Sequence, residues 1–205
     1  MVNSYKVTIS GVARCGKNLF ARSAVKYFRE FGIFAKEYSF AYELRKECNP
    51  FTLLSFGISA FTENDDEKKI IRPLLLCVGT QMWRNLDVDH WVKKVDEAIN
   101  NDPHPHIAVL SDGRFSNEIE WSNKNGTSIH LTRTNNGIPV PPNNKDEQEN
   151  DPLVKNLCKF HHSWETFGSG FEDSGYYSVA NFLKEAFSPE QISQWQNDFP
   201  IPTQN

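Results

Sequence analysis

Seven residues near the N-terminus, Gly11-Val12-Ala13-Arg14-Cys15-Gly16-Lys17, have the types and spacing to hold a polyphosphate. They fill a G-x-x-x-x-G-K pattern. Val7-Thr8-Ile9-Ser10 reads as a strand running in, and Leu19 to Phe31 as a helix leading out. In such a turn, successive backbone N–H groups face the anion and the helix N-terminus adds the positive end of its dipole. The lysine neutralises the outer phosphates. The next position, where a Ser or Thr hydroxyl commonly meets Mg²⁺, is Asn18, followed by Leu19.

A second group is Leu110-Ser111-Asp112-Gly113-Arg114-Phe115-Ser116-Asn117-Glu118. A carboxylate at the end of an apolar strand is where a phosphate-loop protein places the acid that organises Mg²⁺. Asp112 is suited to hold the ion directly or through water. Arg114 is within reach of a phosphate, and Glu118 is able to fix an arginine. The plainer alternative makes Asp112 a helix cap and Arg114 and Glu118 an exposed i,i+4 pair. A third group runs from Arg72 through Gly79-Thr80 to Arg84, then Asp89 and Trp91. Arginines clamp phosphates, small residues admit a base to the backbone, and an indole can stack on one. Trp91 as plain core and Arg84 as a solvated charge stand beside that reading.

The elements that must position these groups follow from periodicity. Strands are expected over Lys6–Ser10, Ile33–Ser39, His106–Ser111 and Thr127–Thr132, with a short last one at Tyr176–Ser178. Helices are expected over Leu19–Phe31, Asp65 to about Trp83, Asp89–Asn100 and Asn117–Asn125, with another following Ser178 to Phe187. A helical start at Phe40–Glu47 should break at Asn49-Pro50. Asn135–Asp151, rich in Asn, Pro and acids, reads as a mobile loop, and the tail beyond Pro189 as frayed. Strands alternating with helices give a parallel α/β sheet covered on both faces, with ligands at the carboxyl ends of its strands. The loop after the first strand and Asp112 after the third then share one edge.

At 205 residues the chain suffices for one α/β domain with small insertions, and its net charge of −4 argues against general binding of nucleic acid. No apolar run approaches the roughly 20 residues of a membrane span, and the polar N-terminus does not read as a signal peptide. The four cysteines are scattered, as in a reduced cytoplasmic protein. Cys15, beside Lys17 at a helix N-terminus, is expected to be the most reactive. Cys158, His161 and His162 lack a fourth ligand for zinc, and His104 and His106 read as loop. Trp195 and Phe199 have two readings, packing on a second copy in a homodimer or on the same chain.

Taken together these stretches resemble the bacteriophage deoxynucleoside monophosphate kinases and, more loosely, the wider group of nucleoside monophosphate and phosphomevalonate kinases. The resemblance is carried by the phosphate loop, R-x-x-L-x-x-x-G-T at Arg72–Thr80, Asp89 and Trp91, and D-x-R-F-x-N-E at Asp112–Glu118. An H-x-S-x-E-like His161–Glu165 and the closing Tyr176–Phe187 stretch extend it over most of residues 5–187. It implies a three-layer P-loop kinase fold as a single domain, with a helical NMP-binding insertion at about 44–101 and a lid at about 134–165. It implies ATP held by Gly11, Val12, Ala13, Arg14, Cys15, Gly16, Lys17, Asn18 and Arg133, with Mg²⁺ on Asn18 and Asp112. Lys17, Asp112, Arg114 and Glu118 would serve the transfer. Arg72, Gly79, Thr80, Arg84, Trp91 and Asp112 would bind the deoxynucleotide, and Lys145, Lys155 and Lys159 would stand in for lid arginines. The chain departs from the family's S-G-K-D-T at Cys15–Leu19, and a family glutamine before the Gly-Thr pair is Leu76 here. The activity implied is ATP-dependent phosphorylation of a dNMP to a dNDP for DNA precursor synthesis, in the host cytoplasm if phage-encoded. A catalytically weakened nucleotide-binding protein and a kinase for a small phosphorylated metabolite remain as alternatives.

Overall fold

The computed structural model describes residues 3–166 and 171–202. The chain divides into two compact units, Met1–Tyr38 with Ile99–Asn205, and Ser39–Ala98.

The larger unit is built on a six-stranded sheet. Strands β1 (Tyr5–Ser10), β2 (Ala35–Tyr38), β3 (Ile107–Gly113) and β4 (Gly126–Asn135) are joined by β5 (Ile138–Pro139) and β6 (Phe160–Glu165). The order β2-β3-β1-β4-β6 is parallel throughout, and β5 returns antiparallel along the end of β4. Period-two alternation sorts the two faces. Val7, Ile9, Ile107, Val109, Ile129 and Leu131 share a core with α1 (Lys17–Glu30), α8 (Phe171–Ala186) and α9 (Pro189–Asp198). The opposite face is more polar, with Ala108 and Leu110 its apolar members on β3, and meets α6 (Ser116–Lys124) and α7 (Lys145–Leu157). There Thr8 Oγ1 donates to Ser122 Oγ (2.8 Å), and Ser122 donates to the Thr127 carbonyl (3.0 Å). Ser128 Oγ donates to Asn123 (2.8 Å), and His130 Nε2 bonds the Asp151 carboxylate (3.1 Å).

The smaller unit is helical: α2 (Phe40–Phe56), α3 (Asp65–Leu76), a π-helical stretch at Cys77–Met82, α4 (Trp83–Leu86) and most of α5 (His90–Asn100). Asn64 caps α3 by accepting from the Asp66 and Glu67 N–H groups, and Asp65, Asp66 and Glu67 complement the helix dipole. Among the described residues, no helix is long and apolar enough to cross a membrane.

Several expectations are corrected. Helix α2 does not break at Asn49-Pro50. Asn49 turns its side-chain oxygen to Ser59 Oγ and the Ala60 N–H, and the helix runs on to Gly57. Pro73 lies deep in α3, and the expected single helix to Trp83 changes to π-helical winding after Leu76. The segment Asn135–Asp151 carries regular structure: Asn136 and Gly137, both with positive φ (53° and 76°), make the tight turn into β5. Asn144 then caps α7 through the Glu147 N–H, and Glu147 accepts from Asn143 N. Tyr176–Ser178 is helical, with Val179, Ala180 and Leu183 buried from α8; the fifth parallel strand is β6. His106 is fully buried, stacked on Tyr38, whose hydroxyl donates to its Nε2 (2.9 Å).

The stretch from Pro189 to Phe199 joins the core. Ser188 caps α9, Ile192, Trp195 and Phe199 pack on this same chain, and Gln196 Nε2 donates to the Phe31 carbonyl at the end of α1. Trp195, 4% exposed, packs edge-on against Phe28 and Phe187 and tilted against Tyr5. Trp195→Ala is expected to lower the unfolding free energy by about 3–5 kcal/mol in urea titration, whereas a frayed tail would leave the midpoint unmoved.

Candidate phosphate-binding site

The parallel strands bring their carboxyl ends to one edge, where the turn Gly11–Gly16 leaves β1 and α1 begins at Lys17. The turn has three positive-φ residues, Gly11 (133°), Arg14 (63°) and Gly16 (102°). A Cβ on Gly11 would lie 2.3 Å from the Leu131 carbonyl of β4, and one on Gly16 would lie 2.5 Å from the Trp164 ring of β6. Both positions need glycine for space as well as for φ. Arg14 is exposed and held in the left-handed region, a strain of order 1 kcal/mol of the kind stored at binding loops.

Lys17 is 8% exposed, and its Nζ donates to the Gly11 and Val12 carbonyls (2.7 and 2.8 Å), tying the head of the helix to the start of the turn. Burial pulls its pKa below the ordinary lysine value. Cys15 opposes that pull, Arg114 adds to it, and Glu147 and Asp112 oppose it. These groups therefore share the field of one ammonium. Cys15 is fully buried, and burial pushes its thiol up despite Lys17, so the expectation of a reactive cysteine is overturned. Arg133 also acts on that thiol. Its Nε is buried and has no hydrogen-bond partner among the described residues.

Ser10 of β1 pairs with Gly113 of β3, which sets half-buried Asp112 beside the turn. Glu118, 1% exposed, directs Oε2 at two main-chain donors, Arg114 N (2.7 Å) and Phe115 N (3.1 Å). It fixes the arginine's backbone, as the N3 glutamate of a helix cap does, while the Arg114 side chain is exposed. Asn18 is exposed in the first turn of α1. Among the described residues, no three His, Cys, Asp or Glu side chains gather as a metal cage. One carboxylate and one amide beside a phosphate loop instead suit Mg²⁺, which keeps waters and shares its coordination with substrate phosphates.

In the helical unit Arg72 is exposed, and Thr80 and Arg84 are half-buried. Trp91 is 3% exposed and donates its indole N–H to the Gly79 carbonyl (2.8 Å), so it props the π-helical stretch and presents no open face for a base. Trp83 is the less buried indole; it stacks on His90 at 3.8 Å, and Glu47 lies 3.5 Å from His90 Nε2. Of the lysines expected in the lid, Lys159 instead donates to the Asn123 and Gly126 carbonyls behind α6. Sequence reasoning missed the Trp83–His90 stack and the role of Trp164, which fills an unspecified position of the H-x-S-x-E-like stretch.

Two outcomes follow from this geometry. Glu118→Ala, which strands two part-buried main-chain N–H groups, is expected to cost about 1 kcal/mol or more in urea unfolding, with Glu118→Gln recovering most of it. Under native conditions iodoacetamide should label half-buried Cys77 well before Cys15, with Cys15 reacting only on unfolding.

No protein-family model matches this sequence, and no curated protein shows significant similarity to it. Solved structures do match. A dephospho-CoA kinase from Campylobacter jejuni aligns over 91% of this chain and 98% of its own, with a TM-score of 0.50 and 16% identity. Shikimate kinase from Bacteroides thetaiotaomicron aligns over 89% and 97% (TM-score 0.48, 12% identity). Shikimate kinase from Acinetobacter baumannii, in complex with shikimate, aligns over 91% and 97% (0.42, 12%). The architecture, a mostly parallel sheet flanked by helices with a glycine-rich turn after its first strand, is the fold this chain shares with that dephospho-CoA kinase.

Proposed function

We propose that the protein is an ATP-dependent deoxynucleoside monophosphate kinase. The observation that carries this reading is the convergence of Lys17, Arg114, Arg133 and Asp112 on the turn after β1. Three cations there, with Asp112 and Glu147 as counter-charges, suit a magnesium polyphosphate better than a neutral ligand. The residues from Gly11 to Asn18 would take the ATP phosphates, with Arg133 using its Nε–H, unpaired among the described residues, on the same chain of charge. Asn18 and Asp112 would hold Mg²⁺ together with the nucleotide, and the ion would supply charge neutralisation between the outer phosphates.

The acceptor in such a reaction is itself a phosphate, mostly dianionic at neutral pH because its second pKa is about 6. It needs no strong general base, so catalysis reduces to alignment and neutralisation of the charge that develops in flight. Lys17 exchanges its two carbonyl partners for phosphate oxygens. Arg114, its backbone pinned by Glu118, presents a guanidinium to the transferring group. Arg72 and Arg84 would clamp the acceptor phosphate and Gly79-Thr80 would face its nucleoside, on a stretch that Trp91 supports from beneath. The smaller unit is the proposed acceptor-binding insertion, and β5 with α7 the proposed lid. The proposed setting is a cell's cytoplasm, that of the host if the chain is phage-encoded.

One observation favours a second reading. The residue after Lys17 offers an exposed amide in place of a hydroxyl, a weaker hold on the ion, as in a protein that binds nucleotide without transferring phosphate. A coupled ADP-release assay with ATP, Mg²⁺ and each of dAMP, dGMP, dCMP and dTMP separates the two. Turnover with at least one dNMP is expected, and Lys17→Ala should lower kcat/KM by about 10²–10³, some 3–4 kcal/mol of transition-state stabilisation. Binding of dNMP without ADP release would establish the second reading. Turnover confined to a different phosphorylated acceptor would make this a metabolite kinase.

A further inference from the structure

Trp164 lies on β6, 149 residues from the phosphate loop in sequence, yet its indole N–H donates to the Cys15 carbonyl at 2.9 Å. The side chain is 5% exposed, tilted against Phe20 of α1 and edge-on to His162. Its ring edge occupies the place where a side chain on Gly16 would stand. In the parallel register Trp164 pairs with Arg133 of β4. The same strand position that brings a guanidinium to the loop thus also brings the indole.

The Cys15–Gly16 peptide is trans. In a trans peptide the carbonyl and the following N–H point in opposite directions and cannot turn independently. Trp164 holds the carbonyl toward the buried side, so the Gly16 N–H is held facing the other way, toward the outer side of the loop. A free glycine-flanked peptide flips readily, because neither orientation meets a side chain. Here one hydrogen bond from a packed ring selects one orientation.

We propose that Trp164 is a positioning residue for the phosphate loop: by holding the Cys15 carbonyl it keeps the Gly16 N–H aimed at the nucleotide's phosphates. The inference rests on the reading of this loop as a nucleotide site. It assigns Trp164 no contact with substrate. Its effect is on the donor nucleotide's phosphates, and the acceptor should not sense it.

The test compares wild type with Trp164→Phe, which keeps an aromatic ring and removes the N–H. Calorimetry with ATP and with pyrophosphate, in Mg²⁺, is expected to show both binding wild type. Both should bind the variant roughly tenfold more weakly, the scale of one hydrogen bond. The KM for ATP should rise while the KM for the acceptor stays within twofold. In ¹⁵N spectra the downfield shift of the Gly16 amide on adding ATP should shrink in the variant, a change that loss of packing alone does not produce. Wild type itself supplies a measurement free of any folding defect: the Trp164 indole N–H should exchange slowly with solvent and move on ATP addition. Unchanged affinity and an unchanged Gly16 shift in the variant would overturn the role of Trp164, as would an indole resonance blind to ATP. Failure of wild type to bind either ATP or pyrophosphate would overturn the nucleotide reading itself, and the inference with it.

Discussion

A phosphate-binding turn must bend without side chains of its own to shape it, and in this protein its shape depends on two close approaches. The β4 backbone comes against Gly11 at Leu131, and the β6 indole comes against Gly16. Both partners are delivered by the parallel register, in which Ser10 pairs with His130 and Ile129 with Phe160. A slip of one residue in either pairing would turn every side chain of that strand to the other face. The leucine carbonyl and the tryptophan ring would then leave the turn unsupported. The apolar face of the sheet and the geometry of the turn are in this sense one constraint, since the burial of Ile129 and Leu131 against α1 fixes the register that serves Gly11.

The same arrangement explains how a lysine can be buried at the head of α1. Taking an ammonium out of water is costly unless its protons find acceptors. Lys17 finds two carbonyls in the loop it closes. Asp112 and Glu147 lend it negative field, and Arg114 opposes them. A group held this way is ordered before any ligand arrives, so less freedom is lost when a phosphate replaces the carbonyls. Glu118 extends the principle to the end of β3, fixing the backbone of Arg114 and leaving its guanidinium exposed.

The parts of this design that were legible in the sequence are those carried by local chemistry. Gly11, Gly16 and Lys17 announce themselves by spacing, and Asp112 and Arg114 by their place at the end of an apolar strand. Glu118 was legible as a participant, but its carboxylate serves main-chain donors, a choice that spacing does not encode. The strand Phe160–Glu165 escaped notice because two histidines, a serine and a glutamate interrupt any apolar alternation; its pairing with β4 supplies what its composition does not. Asn144 followed by Glu147 is a cap signal inside a stretch whose acids and prolines suggested a loop. Trp195 and Phe199 stand isolated among polar residues, and only the three-dimensional packing reveals that the core lacks a corner without them. Trp91 kept its plainer reading, that of a buried support.

The closing of the sheet's base by the C-terminal helix ties folding to the direction of synthesis. The Phe34 N–H, just ahead of β2, is satisfied by the carbonyl of Phe199, and the Phe31 carbonyl at the end of α1 by Gln196, 165 residues downstream. At about 5–20 residues per second a ribosome needs on the order of 10–30 s to make that intervening chain. Through that interval β1 and α1 exist with Phe28, Tyr5 and Ile33 still missing part of their cover. The nascent chain therefore passes that interval with part of its apolar surface still uncovered.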